Sequence, residues 1–89
     1  MGVNWANFKK VPSAGKLCRI HWTDVVAYIN VEANEAVPAQ VESVGYMHKD
    51  SKDFIVIASA YYQDEAAPDK KEGDFTALPK GMITKIEVL

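Results

Sequence analysis

Lys52-Asp53-Phe54-Ile55-Val56-Ile57-Ala58-Ser59-Ala60-Tyr61-Tyr62 is the stretch on which the fold turns. Apolar residues follow one another without a break from Phe54 to Ala58, and two tyrosines close the run. β-Branched and aromatic types dominate it and charged residues bound it, which is the composition of a strand. A half-buried strand alternates polar and apolar side chains, and this one does not. Both of its faces are therefore expected to meet something dry. A parallel sheet supplies two dry faces but needs crossovers of a dozen or more residues, usually helical. A chain of 89 residues has little room for several. What remains is a small barrel, or a sheet whose outer face is covered by a helix or by another subunit.

The length corresponds to a single domain over residues 1–89, one that buries about 60–65% of its unfolded surface. Hydrophobic residues make up 48% and charged residues 25%, ordinary values for a globular chain. With one cysteine, Cys18, no internal disulfide forms, and a reducing compartment such as cytoplasm fits best. No segment is long and apolar enough to span a membrane, and the N-terminus lacks the basic-then-apolar pattern of a signal peptide. Gly2 follows Met1, but Ala6 breaks the myristoylation pattern. A net charge of −2 argues against a surface that is basic all over and leaves room for a local basic patch.

Outward from the central run, the chain reads as one helix and five strands. Residues 4–10 suit a short helix, with Asn4 as N-cap, Pro12 as its stop, and Trp5 and Phe8 on one face. Such a helix is too short to stand alone and is expected to lie against the sheet. Residues 16–24 alternate, with Cys18, Ile20 and Trp22 on one side and Arg19, His21 and Thr23 on the other. Residues 25–31 either extend that strand or start another, and residues 32–38 read as an exposed loop. The next strand covers residues 40–48, and Gly45 within it marks a sharp bend or a close backbone approach. The polar turn 48–53 joins it to the central strand as an antiparallel hairpin. Residues 63–73 read as an exposed loop, 74–78 as a short strand, Pro79-Lys80-Gly81 as a tight turn, and 82–89 as the final strand. The last two strands carry apolar residues on both faces. This is an all-β antiparallel meander, small and bent enough to roll into a five-stranded barrel with a short N-terminal helix.

The pattern resembles the Sm-like (LSm) family, in its SH3-like, strongly bent barrel with an N-terminal helix. The family's first motif sets a glycine, an apolar residue two on and an aspartate five on. Gly45, Met47 and Asp50 stand in those places. The Met-Asn pair that follows in the family is here Asp53-Phe54, so the base-contacting asparagine is absent and the family's uridine preference does not carry over. In the second motif, Lys80-Gly81 stands where the family has Arg-Gly, with Ile83 and Ile86 one residue earlier than the usual aliphatic spacing. The motifs cover residues 41–89. The chain is similar to small Sm-like proteins of marine phages, a resemblance that would put it in the cytoplasm of a host cell. The resemblance implies a homo-oligomeric ring, closed by pairing the fourth strand of one copy with the fifth of the next. The residue pattern points the same way, because two apolar edge strands invite pairing.

On this reading His48, Lys49, Asp50 and Lys52 on one turn, and Lys80 and Gly81 on the other, meet at one rim. Around a ring they form a basic collar for single-stranded RNA or DNA. The plainer alternative is that they are ordinary turn residues beside the acidic Asp50 and Asp53. Tyr46, Tyr61 and Tyr62 offer stacking platforms for bases, or simply pack with their hydroxyls outward. His48, Asp50 and Asp53 admit a metal reading, but no second histidine or cysteine lies near in sequence, and no metal or other cofactor is expected. Cys18 and His21 fall on opposite faces of a strand and make no catalytic pair. No nucleophile, base and orienting group assemble, so the expectation is a non-enzymatic nucleic-acid-binding ring. The alternative is a structural or protein-interaction module on the same barrel.

Overall fold

The computed structural model of the chain describes residues 11–62 and 72–89. The expected helix at 4–10 and most of the expected loop 63–73 lie outside the described residues. The rest is all-β: β1 (Leu17–Asp24), β2 (Ala39–Asp50), β3 (Phe54–Tyr62), β4 (Glu72–Pro79) and β5 (Ile83–Val88). One 3₁₀ turn, Ala33–Glu35, interrupts the β1–β2 loop, and a second, Lys80–Met82, joins β4 to β5. All pairings are antiparallel, and the strands lie in one sheet in the order β4-β3-β2-β1-β5.

This order forces a strong bend. The edge strands β4 and β5 are four strand spacings apart across the sheet, about 19 Å if it were flat. Only residues 80–82 connect them, and a 3₁₀ turn of that length covers about 8 Å. The sheet must therefore curl until its edges approach at one end. It is not closed: among the described residues β4 and β5 share no ladder.

β2 is the strand that carries the bend. Its first part pairs with β1 as far as Tyr46, and its last part pairs with β3 from Tyr46 onward. Gly45 sits at the hand-over. A Cβ there would stand 2.9 Å from the Ala58 carbonyl oxygen and 3.2 Å from Ile57 Cβ, closer than packed atoms tolerate. The close approach expected of this glycine is what the fold uses it for. Gly73, read from sequence as part of a loop, lies instead in β4. Its Cβ would fall 2.1 Å from the Ala60 carbonyl oxygen, where Gly73 pairs with Tyr61 just past the register shift between Ala58 and Ala60. Only glycine fits there.

Inside the curl lie Cys18, Ile20, Met47, Ile55, Ile57, Leu78 and Ile83, with Val11, Trp22 and Ile86 packed against them. Each fully buried aliphatic side chain contributes about 1.5–3 kcal/mol. Trp22 keeps its indole N–H satisfied by donating to Ser43 Oγ at 2.9 Å. The expectation that both faces of β3 are dry holds for the inner face, and on the outer face for Ala58 only. Ile55 and Ile57 are buried, whereas the outward Phe54 is exposed and Val56 half-buried. β4 and β5 likewise contribute only Leu78 and Ile83 as buried residues, while Phe75, Val88 and Leu89 are exposed.

Candidate functional site

The two turns expected to share a rim do meet. The Ser51 N–H donates to the Phe54 carbonyl at 2.9 Å and closes a tight β2–β3 turn. Across from it, the Lys80 backbone N–H donates to the Asp53 carbonyl at 2.9 Å, and Lys80 Nζ pairs with Asp50 Oδ1 at 2.8 Å. Lys80 reaches back because the 3₁₀ turn starts directly after Pro79, which pairs with Phe54 next to Asp53. Lys49 and Lys52 are exposed on the neighbouring β2 end and turn, and Gly81 is exposed with open space where a side chain would begin.

The strand β2 runs two residues further than its sequence suggests, to Asp50, so His48 and Lys49 belong to a strand and not to the turn. The β2–β3 register shifts between Met47 and Lys49, leaving His48 on the bulge. That shift turns its ring outward. It lies 4.8 Å from the Phe75 ring and 5.9 Å from the Tyr61 ring, and Tyr61 and Phe75 are themselves 5.9 Å apart. His48 Nδ1 and the Tyr61 hydroxyl are at hydrogen-bond distance, 3.3 Å. Tyr46, Ala58 and Phe75 form one cross-strand row on the same outer face. Ala58 is fully buried beneath these rings although it faces outward.

Tyr61 is thus brought together with His48, with Tyr46 in the neighbouring row, but on the outer sheet face and away from the rim, since Tyr61 pairs with Gly73 at the far end of β3. Phe75 completes the group and was missed by sequence reasoning. Its only signal was the pairing of β4 with β3, and Asp74-Phe75 alone does not disclose the partner. The metal reading of His48, Asp50 and Asp53 finds no support. Asp50 is engaged with Lys80, and among the described residues no group of three or more His, Cys, Asp or Glu is arranged to hold an ion.

No protein-family model, curated protein or solved structure matches this chain.

The other half of the outer face is charged. His21 Nε2 is hydrogen-bonded to Glu87 Oε1, and His21 Nδ1 lies 3.4 Å from Glu42 Oε1. Arg19 and Lys85 flank the two carboxylates at 3.9 and 3.8 Å. The hydrogen bond from His21, helped by Lys85 and Arg19, holds the Glu87 carboxyl below the usual glutamate range. His21 therefore ties β2, β1 and β5 together and is more than a solvated side chain. Cys18, on the inner side of β1, is buried, and burial pushes its thiol above the usual range. Among the described residues no helix is long and apolar enough to cross a membrane.

Proposed function

We propose that this chain is an Sm-like subunit of open-barrel, SH3-like type, which completes its sheet on further copies of itself and captures single-stranded nucleic acid, RNA in the first place. The observation that carries the reading is the meeting of the β2–β3 and β4–β5 turns through Lys80, Asp50 and Asp53. It gathers Lys49, Lys52, Lys80 and Gly81 on one rim, which a ring repeats. Lys49 and Lys80 hold phosphate. Bases leaving the rim have the His48, Tyr61 and Phe75 rings, with Tyr46 beside them, on which to stack. β4 and β5 are the edges of the sheet among the described residues, and the exposed Phe75, Val88 and Leu89 support strand pairing between copies. No covalent chemistry is assigned to the site.

A second reading, a phage-related structural or protein-interaction module that makes no use of nucleic acid, is favoured by the net charge of −2 and by the engagement of Lys80 with Asp50. Fluorescence anisotropy with oligo-U, oligo-A and single-stranded DNA at two salt concentrations separates the two, combined with light scattering for mass. Binding that weakens with salt and drops in Lys49→Ala and Lys80→Ala supports the ring on nucleic acid. An intact assembly with no binding at low salt overturns it in favour of the interaction module.

A further inference from the structure

Loop 25–38, between β1 and β2, has no place in the nucleic-acid site. It exposes six large apolar side chains, Val25, Val26, Tyr28, Ile29, Val31 and Val37, with Val25 76% and Ile29 84% exposed. Apolar side chains scattered singly over a surface are unremarkable, but a concentration of this kind marks a contact. The loop has a built shape. The Asp24 carboxylate accepts from the Val25 N–H at 2.8 Å, the Tyr28 hydroxyl donates to the Val37 carbonyl at 3.1 Å, and Asn30 holds a left-handed φ of 57° at the bend. Its charge has one sign: Asp24, Glu32 and Glu35 are acidic, and no Lys or Arg occurs between Arg19 and Lys49. Carboxylates repel phosphate, so nucleic acid and anionic membranes are poor occupants.

We propose that loop 25–38 docks on the neighbouring copy and seals the joint between β5 of one subunit and β4 of the next. This rests on the edge-to-edge assembly proposed above. In an antiparallel joint the start of one strand meets the end of the other. β5 starts at Ile83, paired with Trp22 near the end of β1, and loop 25–38 leaves from that same end. An open pocket of about 630 Å³ between Val25, Val37 and Pro38 of the loop base and Gly81 and Met82 of the 3₁₀ turn marks the place. β4 ends at Pro79, paired with Phe54, beside the turn 51–53. The joint therefore brings Pro79, Phe54 and Lys52 of the neighbouring copy, all exposed in the single chain, to the end of the sheet where the loop stands. Aliphatic side chains meet an aromatic ring and a proline, and the carboxylates of Glu32 and Glu35 meet an ammonium. Both matches are complementary. Lys52 is then a contact between copies and leaves the collar, while Lys49 stays exposed on the rim.

The test is light scattering over a dilution series of the full chain, with circular dichroism to verify folding. The Val25→Ser/Ile29→Ser pair and the Glu32→Lys/Glu35→Lys pair are each expected to raise the concentration at which the assembly dissociates about tenfold or more. Adding Lys52→Glu to the lysine pair is expected to recover part of that loss. An assembly whose dissociation is unchanged in both pairs overturns the docking and leaves the ring standing. Absence of any recovery by Lys52→Glu overturns the placement on the turn 51–53. A wild-type chain that stays monomeric throughout overturns the ring itself, and with it this contact.

Discussion

Replacing Asp50 by asparagine tests the rim most directly. The Lys80 Nζ–Asp50 Oδ1 pair is 2.8 Å long, with side chains 19% and 48% exposed. At that separation the Coulomb attraction is about 1.5 kcal/mol in bulk water and about 6 kcal/mol at an effective dielectric of 20. Fixing the lysine side chain costs about 1.5–2 kcal/mol, and solvent at the half-exposed aspartate screens the larger figure. The net value belongs with exposed pairs, about 0.2–1 kcal/mol. The Lys80 N–H to Asp53 carbonyl bond is untouched by the substitution and keeps the two turns together. Asp50→Asn should therefore lower Tm by no more than about 4–8 °C, the equivalent of 1 kcal/mol in a domain of this size. A double-mutant cycle with Lys80→Met should return a coupling within the same limit. On the proposed function the substitution also takes one carboxylate per subunit off the rim, so affinity for oligo-U should rise. The salt dependence should steepen by about 0.7 in log–log slope for each further phosphate engaged. Thermal unfolding by circular dichroism and anisotropy at several salt concentrations read both quantities. A coupling above about 2 kcal/mol refutes the energetic argument. Unchanged affinity and slope remove Lys80 from the nucleic-acid site.

Three further outcomes are expected. Ile55→Ala, at a fully buried position of β3, should cost about 2–5 kcal/mol in urea unfolding followed by tryptophan fluorescence; Val88→Ala, exposed in the single chain, should cost the dissociated chain under about 0.5 kcal/mol. The lowered Glu87 carboxyl has a definite sign in stability: the unfolded chain binds its proton more readily, so stability is present above the ordinary glutamate range and is lost as pH falls through the depressed folded value. Melting curves from pH 6 down to about 2 should thus fall less steeply in Glu87→Gln than in the wild type, and parallel curves would discard the role given to His21. The Cys18 thiol, buried and raised, should resist a thiol reagent in the native protein at pH 8 and react stoichiometrically in denaturant; rapid native labelling would contradict its place in the core.

Much of this architecture was legible because strands announce themselves by composition and period. The alternation of β1, the hairpin of β2 and β3, the turn at Pro79-Lys80-Gly81 and the special position of Gly45 all follow from local chemistry. The loop reading of Gly73 failed because its reason to be glycine, the Ala60 carbonyl 2.1 Å from where a Cβ would sit, belongs to another strand. Phe75 was overlooked as a site residue on the same ground: its partners His48 and Tyr61 come from β2 and β3.

Sequence alone determined the strand class, the count of five strands and the two turns that carry lysine. Only the folded sheet decided that those turns touch, that Lys80 faces Asp50, that Tyr46 and Tyr61 lie on the outer face and not at the rim, and that His21 binds two glutamates from flanking strands. The division has a physical cause. Period and composition act within a few residues of the backbone, whereas bulges at His48 and Ser59 and the bend at Gly45 set where side chains from distant segments point, and no local pattern encodes a register.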